Sequence, residues 1–408
     1  MKDFDLNFVR SLFYAFDPTN PLYQKAFFEN AGGSFPCKFV VDKLTKFYET
    51  TKVQPYGYFT GSIEAGEEMD KSTEKLAQLL RVPTNNLHVG PSTSQNTYVL
   101  ANALRLSKIK RKTLIVSNQD HESNTGVWRN LATQGFEIRE WGVRPNGSLY
   151  LDDLKQLIDS TVCMIAFPHV SNIIGEVNPV KEICSLAKSA GAFTCVDGVS
   201  YAPHGVPQIN DFNPDIYLFS SYKTFGPHLG VMYVSDDLAS ELESQCHYFN
   251  KQFPNKRFTP AGPDHAQVSA LGGIYDYYEA VSNHHSNREV LLNSSVNEIN
   301  DLIASQEKKI LKPLLDFIRT KKDVRLLGSY DVQDRVPTVA IVTKKSNIAL
   351  AKQLNELDIS VGVGDFYAVR LLKALNVDID EGVIRMSFVH YTSCSDVEKL
   401  ISGLDRYL

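Results

Sequence analysis

One alternation constrains the fold more than any other feature. Runs near residues 114, 138, 163, 194, 216 and 230 read as strands, and the stretches between them read as helices. Strand and helix repeated in this way predict a largely parallel sheet with helices on both faces. Ligands in such a sheet bind beyond the carboxyl ends of the strands, so the residues just past each run are the ones to inspect.

A chain of 408 residues can bury two cores. The sequence divides into a large domain over 24–285 and a smaller α+β domain over 286–408, with residues 1–23 expected to pack on the smaller one. A helical stretch from 289 should join the two, with Pro313 interrupting the helix at that point. The last helix should open on the capping box Ser395-Asp396-Val397-Glu398. A net charge of −5 offers nothing to nucleic acid or to a membrane surface. Six cysteines with no CxxC spacing fit a reduced, cytoplasmic protein, and no metal-ligand set is assigned. The start of the chain lacks a signal pattern, and no apolar run is long enough to span a bilayer.

Two strand ends carry the chemistry. After the run IYLF (216–219) comes SSYKTFGPHLG (220–230), which sets Lys223 on a tight loop among hydroxyls, with Gly226 and Gly230 expected to supply special backbone angles. An amine held there can shed its proton and condense with a carbonyl cofactor. One strand upstream, FTCVDG (193–198) ends in Asp197. Taken singly, Lys223 reads equally as a surface lysine and Asp197 as a helix cap. Together they are the pair that pyridoxal 5'-phosphate requires: a lysine for the aldehyde and a buried carboxylate for the pyridine nitrogen.

The segments VDGVSYAPHG (196–205) and DIYLFSSYKTFGPHLGVMYVS (215–235) resemble the class V aminotransferases of fold type I, in the branch of cysteine desulfurases, selenocysteine lyases and isopenicillin epimerases. The resemblance runs from about Phe28 to the C-terminus. It implies pyridoxal 5'-phosphate held as a Schiff base on Lys223, a mostly parallel seven-stranded-type sheet, and a homodimer with active sites at the interface.

Further segments take roles from this resemblance. VGPSTSQN (89–96) opens a helix, and glycine followed by hydroxyls at a helix start makes either an anion cradle or an ordinary cap. The resemblance places Ser92 and Thr93 on the phosphate, with Ser220 and Tyr222 beside them. In DHESN (120–124), it sets His121 on the pyridine ring, in a catalytic as well as a binding role. PHVSNIIGE (168–176) is similar to the family's H-V-S-N-x-x-G, which gives Asn172 to the phenolic oxygen, near Ser200, and has His169 support the loop. FENAGGSFP (28–36) reads either as a turn before a helix at 37–48 or, by resemblance, as the entrance to the substrate site through Asn30. The aromatic loop QPYGYFTG (54–61) resembles one that reaches the partner subunit's site, and where Pro263 replaces the usual threonine pattern a backbone group or Thr259 is left to contact the neighbouring cofactor.

IRMSFVHY (384–391) carries an arginine inside an apolar strand, which is either a structural ion pair or a carboxylate clamp. Its similarity to R-x-S-x-x-x-Y favours Arg385 as the clamp for the substrate carboxylate. In VGVGDFYA (361–368), Tyr367 stands where desulfurases of this branch carry the cysteine that accepts sulfur. The expectation is therefore a pyridoxal-phosphate enzyme acting on an α-amino acid, a C–S lyase without a persulfide cysteine, with Tyr367 at the substrate. Transamination or epimerisation on the same cofactor, and a non-catalytic binding protein on this scaffold, are the rival readings.

Overall fold

The computed structural model describes residues 3–286 and 292–408. Its strands are β1 (Ala26–Phe28), β2 (Leu87–Gly90), β3 (Thr113–Ser117), β4 (Glu137–Trp141), β5 (Val162–Pro168), β6 (Phe193–Asp197), β7 (Ile216–Ser220), β8 (Gly230–Val234), β9 (Val324–Leu327), β10 (Thr338–Thr343), β11 (Ile359–Gly364) and β12 (Val383–Ser387). Seven form one sheet in the order β2-β8-β7-β6-β5-β3-β4, in which β3 to β7 run parallel and β8 runs against both neighbours.

Every residue of β3, β5 and β7 is buried, which is why these strands appear as unbroken apolar runs rather than alternating ones. Successive side chains still point to opposite faces. Val196, Tyr217, Phe219 and Val231 enter one apolar core, while Cys195, Ile216, Leu218 and Met232 enter the other.

The smaller sheet runs β1-β11-β12-β10-β9, antiparallel except where β1 joins β11. A third core forms between it and the helices Leu292–Arg319 and Cys394–Tyr407. Residues 26–28, assigned to the large domain from sequence, add to this smaller sheet through Ala26↔Ile359 and its neighbours. The N-terminal segment, expected on the smaller domain, sends Val9 and Phe13 into the core of the larger sheet beside Cys37 and Val40. It touches the smaller unit through Arg10, paired with Asp396.

Two local expectations are corrected. Pro313 does not interrupt its helix, which continues from Leu292 to Arg319; the cost of the missing hydrogen bond is offset by a buried face of Ile310, Leu311, Leu314, Leu315 and Ile318. Residues 289–291 of that predicted helix lie outside the described residues. The capping box of the last helix sits two residues earlier than expected, between Ser393 and Asp396.

Candidate active site

Loops leaving the carboxyl ends of β2, β3, β5, β6 and β7 meet around one cleft. Ser92, Thr93, His121, Asn172, Asp197, Ser200, Ser220, Tyr222 and Lys223 all line it. Lysine and aspartate therefore share one cleft, as the paired reading requires.

Lys223 ends a 3-10 turn, Ser221–Lys223, directly after β7. The turn is held from outside: Ser34 donates its backbone N–H to Tyr222 O at 3.2 Å, and Phe225 N–H donates to Ser34 Oγ at 2.9 Å. The special backbone angle falls on Phe225, at φ 62°, not on Gly226 or Gly230. Those glycines serve close approach instead, since a Cβ at 226 would lie 2.7 Å from Ile274 and one at 230 would lie 2.4 Å from Thr93 N. Burial, and secondarily the Arg385 charge, pulls the Lys223 amine down to about 8, while Asp197 and Glu29 pull it upward. An amine tuned in this way is a usable nucleophile and base near neutrality.

The helix Thr93–Arg105 begins at the other wall. Ser92 caps it by accepting from Gln95 N–H at 3.2 Å, and Thr93 Oγ1 meets Ser220 Oγ at 2.8 Å. Thr93 and Ser94 sit in the first turn, where backbone N–H groups lack helical partners, and both line the cleft. Cap and cradle thus coexist: the Ser92 hydroxyl holds the helix while free N–H groups and the dipole favour an anion.

Asp197 is buried at the end of β6 and accepts from Val199 N–H at 2.8 Å. Burial pushes its carboxyl up, opposed by that N–H and by Lys223. Sequence reasoning passed over its neighbour Asp120, which lines the same cleft and accepts from His121 N–H at 2.7 Å and Asn124 Nδ2 at 2.8 Å. Burial and then repulsion from Asp197 raise Asp120 further. Two carboxyls in one low-dielectric place do not both ionise readily, so Asp120 keeps the proton and Asp197 carries the charge.

Burial, helped by Lys223 and Arg385, lowers His121 to about 3, so its ring is neutral. Its Nδ1 accepts from Ser123 N–H at 3.0 Å, which puts the ring proton on Nε2. Asn172 donates Nδ2 to Phe366 O at 3.0 Å, and its buried Oδ1 has no protein partner. His169 holds its loop through its backbone, donating to Asp197 O at 2.7 Å, while its ring meets Tyr217 Oη at 2.8 Å.

The three substrate candidates fare differently. Asn30 lines a hollow adjoining Lys223, but its amide is committed: Nδ2 donates to Ser387 O at 2.9 Å and Phe27 O at 3.3 Å, and Oδ1 accepts from Tyr391. It ties the entrance segment to β12. Arg385 is buried and already engaged, with Nη2 on Glu29 Oε1 at 2.6 Å, Nη1 on Asn172 O at 3.2 Å, and its face 3.7 Å from the Phe366 ring centroid. Of its two sequence readings, the ion pair is the one present in the structure. Tyr367 is 69% exposed and stands at the rim, 5.2 Å from the His121 ring, so Phe366 rather than Tyr367 covers Arg385. Phe366 and Tyr367 both take left-handed backbones, at φ 51° and 56°. Such strain, about 1 kcal/mol or more each, clusters at functional sites. It is offset here by Asn172 Nδ2 on Phe366 O and by Glu122 N–H on Tyr367 O at 2.8 Å.

Among the described residues no group of three or more His, Cys, Asp or Glu is placed to hold a metal, and no helix is long and apolar enough to cross a membrane.

The family model for class-V aminotransferases matches residues 26–288 and 291–400. The chain belongs to that family, whose members are pyridoxal-phosphate-dependent enzymes. It is 28% identical over 419 residues to an aminotransferase-like protein, FGM3, of Gibberella zeae, covering 100% of this chain and 99% of the relative. It is 25% identical to a cysteine desulfurase of Serratia proteamaculans over 93% of each chain. The fold is that of solved cysteine desulfurases: the apo enzyme from Thermococcus onnurineus superposes with a TM-score of 0.85 at 22% identity over 100% of this chain and 99% of that one. CsdA from Escherichia coli superposes with a TM-score of 0.82 at 21% identity over 99% and 98%.

Proposed function

We propose that this enzyme binds pyridoxal 5'-phosphate on Lys223 and cleaves a Cβ–S bond of an α-amino acid, with no cysteine of its own accepting the sulfur. The residues fit the cofactor. The first turn at Thr93, with Ser92 and Ser220, suits the phosphate, and Asp197 suits a protonated ring nitrogen. The partnerless Asn172 Oδ1 and the neutral His121 ring face the space between. Bound there, the cofactor supplies an electron sink for the pair left at Cα. The Lys223 amine removes the Cα proton, Asp197 keeps the ring cation balanced, and Arg385 orients the carboxylate.

The observation that carries the lyase reading is the rim loop. By the sequence resemblance Tyr367 takes the place of the desulfurases' sulfur acceptor; it is exposed, four of the six cysteines are buried, and none lines the cleft. The sulfur then leaves with the product. A panel of cysteine, cystine and S-substituted cysteines should yield keto acid and ammonia in equal amounts with the sulfur product, which is sulfide from cysteine, a hydropersulfide from cystine and a thiol from S-substituted cysteines. Turnover only with a keto-acid co-substrate, or racemised amino acid as the sole product, would overturn this reading in favour of transamination or epimerisation.

A cytoplasmic homodimer completes the proposal. All six cysteines are free, which suits a reducing compartment. The loop at 54–61 exposes Tyr58 and Phe59, and Tyr56 shares a groove with Thr259 and Pro263. Aromatic side chains gathered on one face mark an interface. Sedimentation should give twice the chain mass of 45.7 kDa, falling to one chain in Tyr58→Asp/Phe59→Asp. A wild-type monomer would rule the dimer out.

A further inference from the structure

We propose that Glu29 is a specificity-determining residue: its carboxylate occupies the carboxylate-binding face of Arg385, and a substrate carboxylate binds by displacing it. The inference rests on the assignment of Arg385 as substrate clamp and concerns what that clamp admits.

The niche for Glu29 is built by absences. A Cβ on Gly32 would lie 2.6 Å from Glu29 Oε1, and one on Gly362 would lie 2.1 Å from Oε2. Neither glycine has a left-handed φ, so space rather than backbone conformation explains both. Gly362 is also the β11 partner of Arg385, which brings the niche against the guanidinium.

The pair inside this niche is under-satisfied. Glu29 reaches the guanidinium with one oxygen only, at 2.6 Å from Nη2. Its buried Oε2 and the buried Arg385 Nε both lack a hydrogen-bond partner. A guanidinium prefers two parallel bonds to a carboxylate, and leaving buried polar atoms orphaned is costly. A structural ion pair would be expected to close both. A free carboxylate approaching in the fork geometry would satisfy Nε, which Glu29 leaves bare. The Glu29 side chain is 26% exposed against 3% for Arg385, so the glutamate has a way out and the arginine does not.

Substrate class is affected in two ways. An α-amino acid must exchange its carboxylate for that of Glu29, which weakens its binding. An amine without a carboxylate meets a site whose arginine is already neutralised and suffers no such competition.

The test uses three probes on the cofactor-loaded wild type and on Glu29→Gln. L-Alanine and L-alaninamide share an amine and differ in the carboxylate; propionate has the carboxylate and no amine. In Glu29→Gln, alanine and propionate should bind at least tenfold more tightly by calorimetry, while alaninamide stays within about twofold. Unchanged or weaker binding of alanine and propionate would overturn the proposal and leave Glu29 as a structural pair. Should Glu29→Gln not fold, Glu29→Asp, drawn back by one methylene, should tighten alanine several-fold, and no change there would overturn the proposal equally. Propionate needs no cofactor chemistry, so its result stands even if Lys223 carries no cofactor, an outcome that would sink the enzymatic reading instead.

Discussion

Lys223→Ala is expected to lose covalently held cofactor and to turn over at least about a thousandfold more slowly than wild type. The amine has two tasks at one point in space, attachment and proton removal at Cα, and no second lysine lines the cleft. Borohydride reduction and then peptide mass analysis should find the adduct on Lys223 in wild type and none in the variant. An adduct on another lysine, or retained activity, would end the assignment. The depressed amine adds a pH signature. Only the neutral amine condenses with an aldehyde, so loading of the apoprotein should accelerate as pH rises through about 8 and then level off. Stability has its own sign. Between about 8 and the unfolded value of 10.5 the unfolded chain holds a proton that the folded chain has shed, so the apoprotein should gain stability as pH rises through this window. Lys223→Ala should lack that gain, as a difference in melting temperature would show.

The larger sheet was legible because burial on both faces leaves a simple mark. The central parallel strands β3, β5, β6 and β7 are largely apolar runs, each followed by polar residues that line the cleft, whereas the charged edge strand β4 is neither. Asp197 and Lys223 stand out because each closely follows such a run, whereas Ser92 stands out because glycine and hydroxyls open a helix there. The N-terminal segment was not legible. An amphipathic piece with Val9 and Phe13 says that it packs, but not on which core. Nor does a three-residue strand such as Ala26–Phe28 announce its sheet, because its partner lies more than three hundred residues away.

The substrate side was hidden for a related reason. Glu29 and Arg385 meet through residues 356 apart, and each alone has an ordinary explanation. Asp120 was obscured by the histidine beside it, although an acid just past an apolar strand was the very signal that singled out Asp197. Phe366 was hidden by its neighbour, since two successive left-handed residues leave Tyr367 exposed and Phe366 over the Arg385 guanidinium. The signals that could have found the niche were Gly32 and Gly362, whose purpose shows only when Glu29 is placed between them.

Asp197→Asn is expected to retain cofactor on Lys223 and yet lower turnover by roughly 10²–10³-fold. Shape and the hydrogen bond from Val199 survive the change, but a neutral amide cannot balance a proton on the ring nitrogen, and the electron sink weakens. Losing the charge also removes one of the influences that raise the Lys223 amine, so the amine should fall further below about 8 and the apoprotein should load faster at neutral pH. Faster loading with slower turnover is a split that general misfolding does not produce. Asp120 then supplies the finer test. Its carboxyl is held up partly by Asp197, so in Asp197→Asn it should ionise more easily and return part of the lost charge from a more remote position. Asp120→Asn alone should therefore cost less than about tenfold, whereas in the Asp197→Asn background the same change should cost more than it does in wild type, a non-additive result read directly from the four turnover rates. Near-wild-type turnover in Asp197→Asn would remove the carboxylate from the chemistry. Strict additivity would mean that the two buried acids act independently, contrary to the single proton their surroundings oblige them to divide.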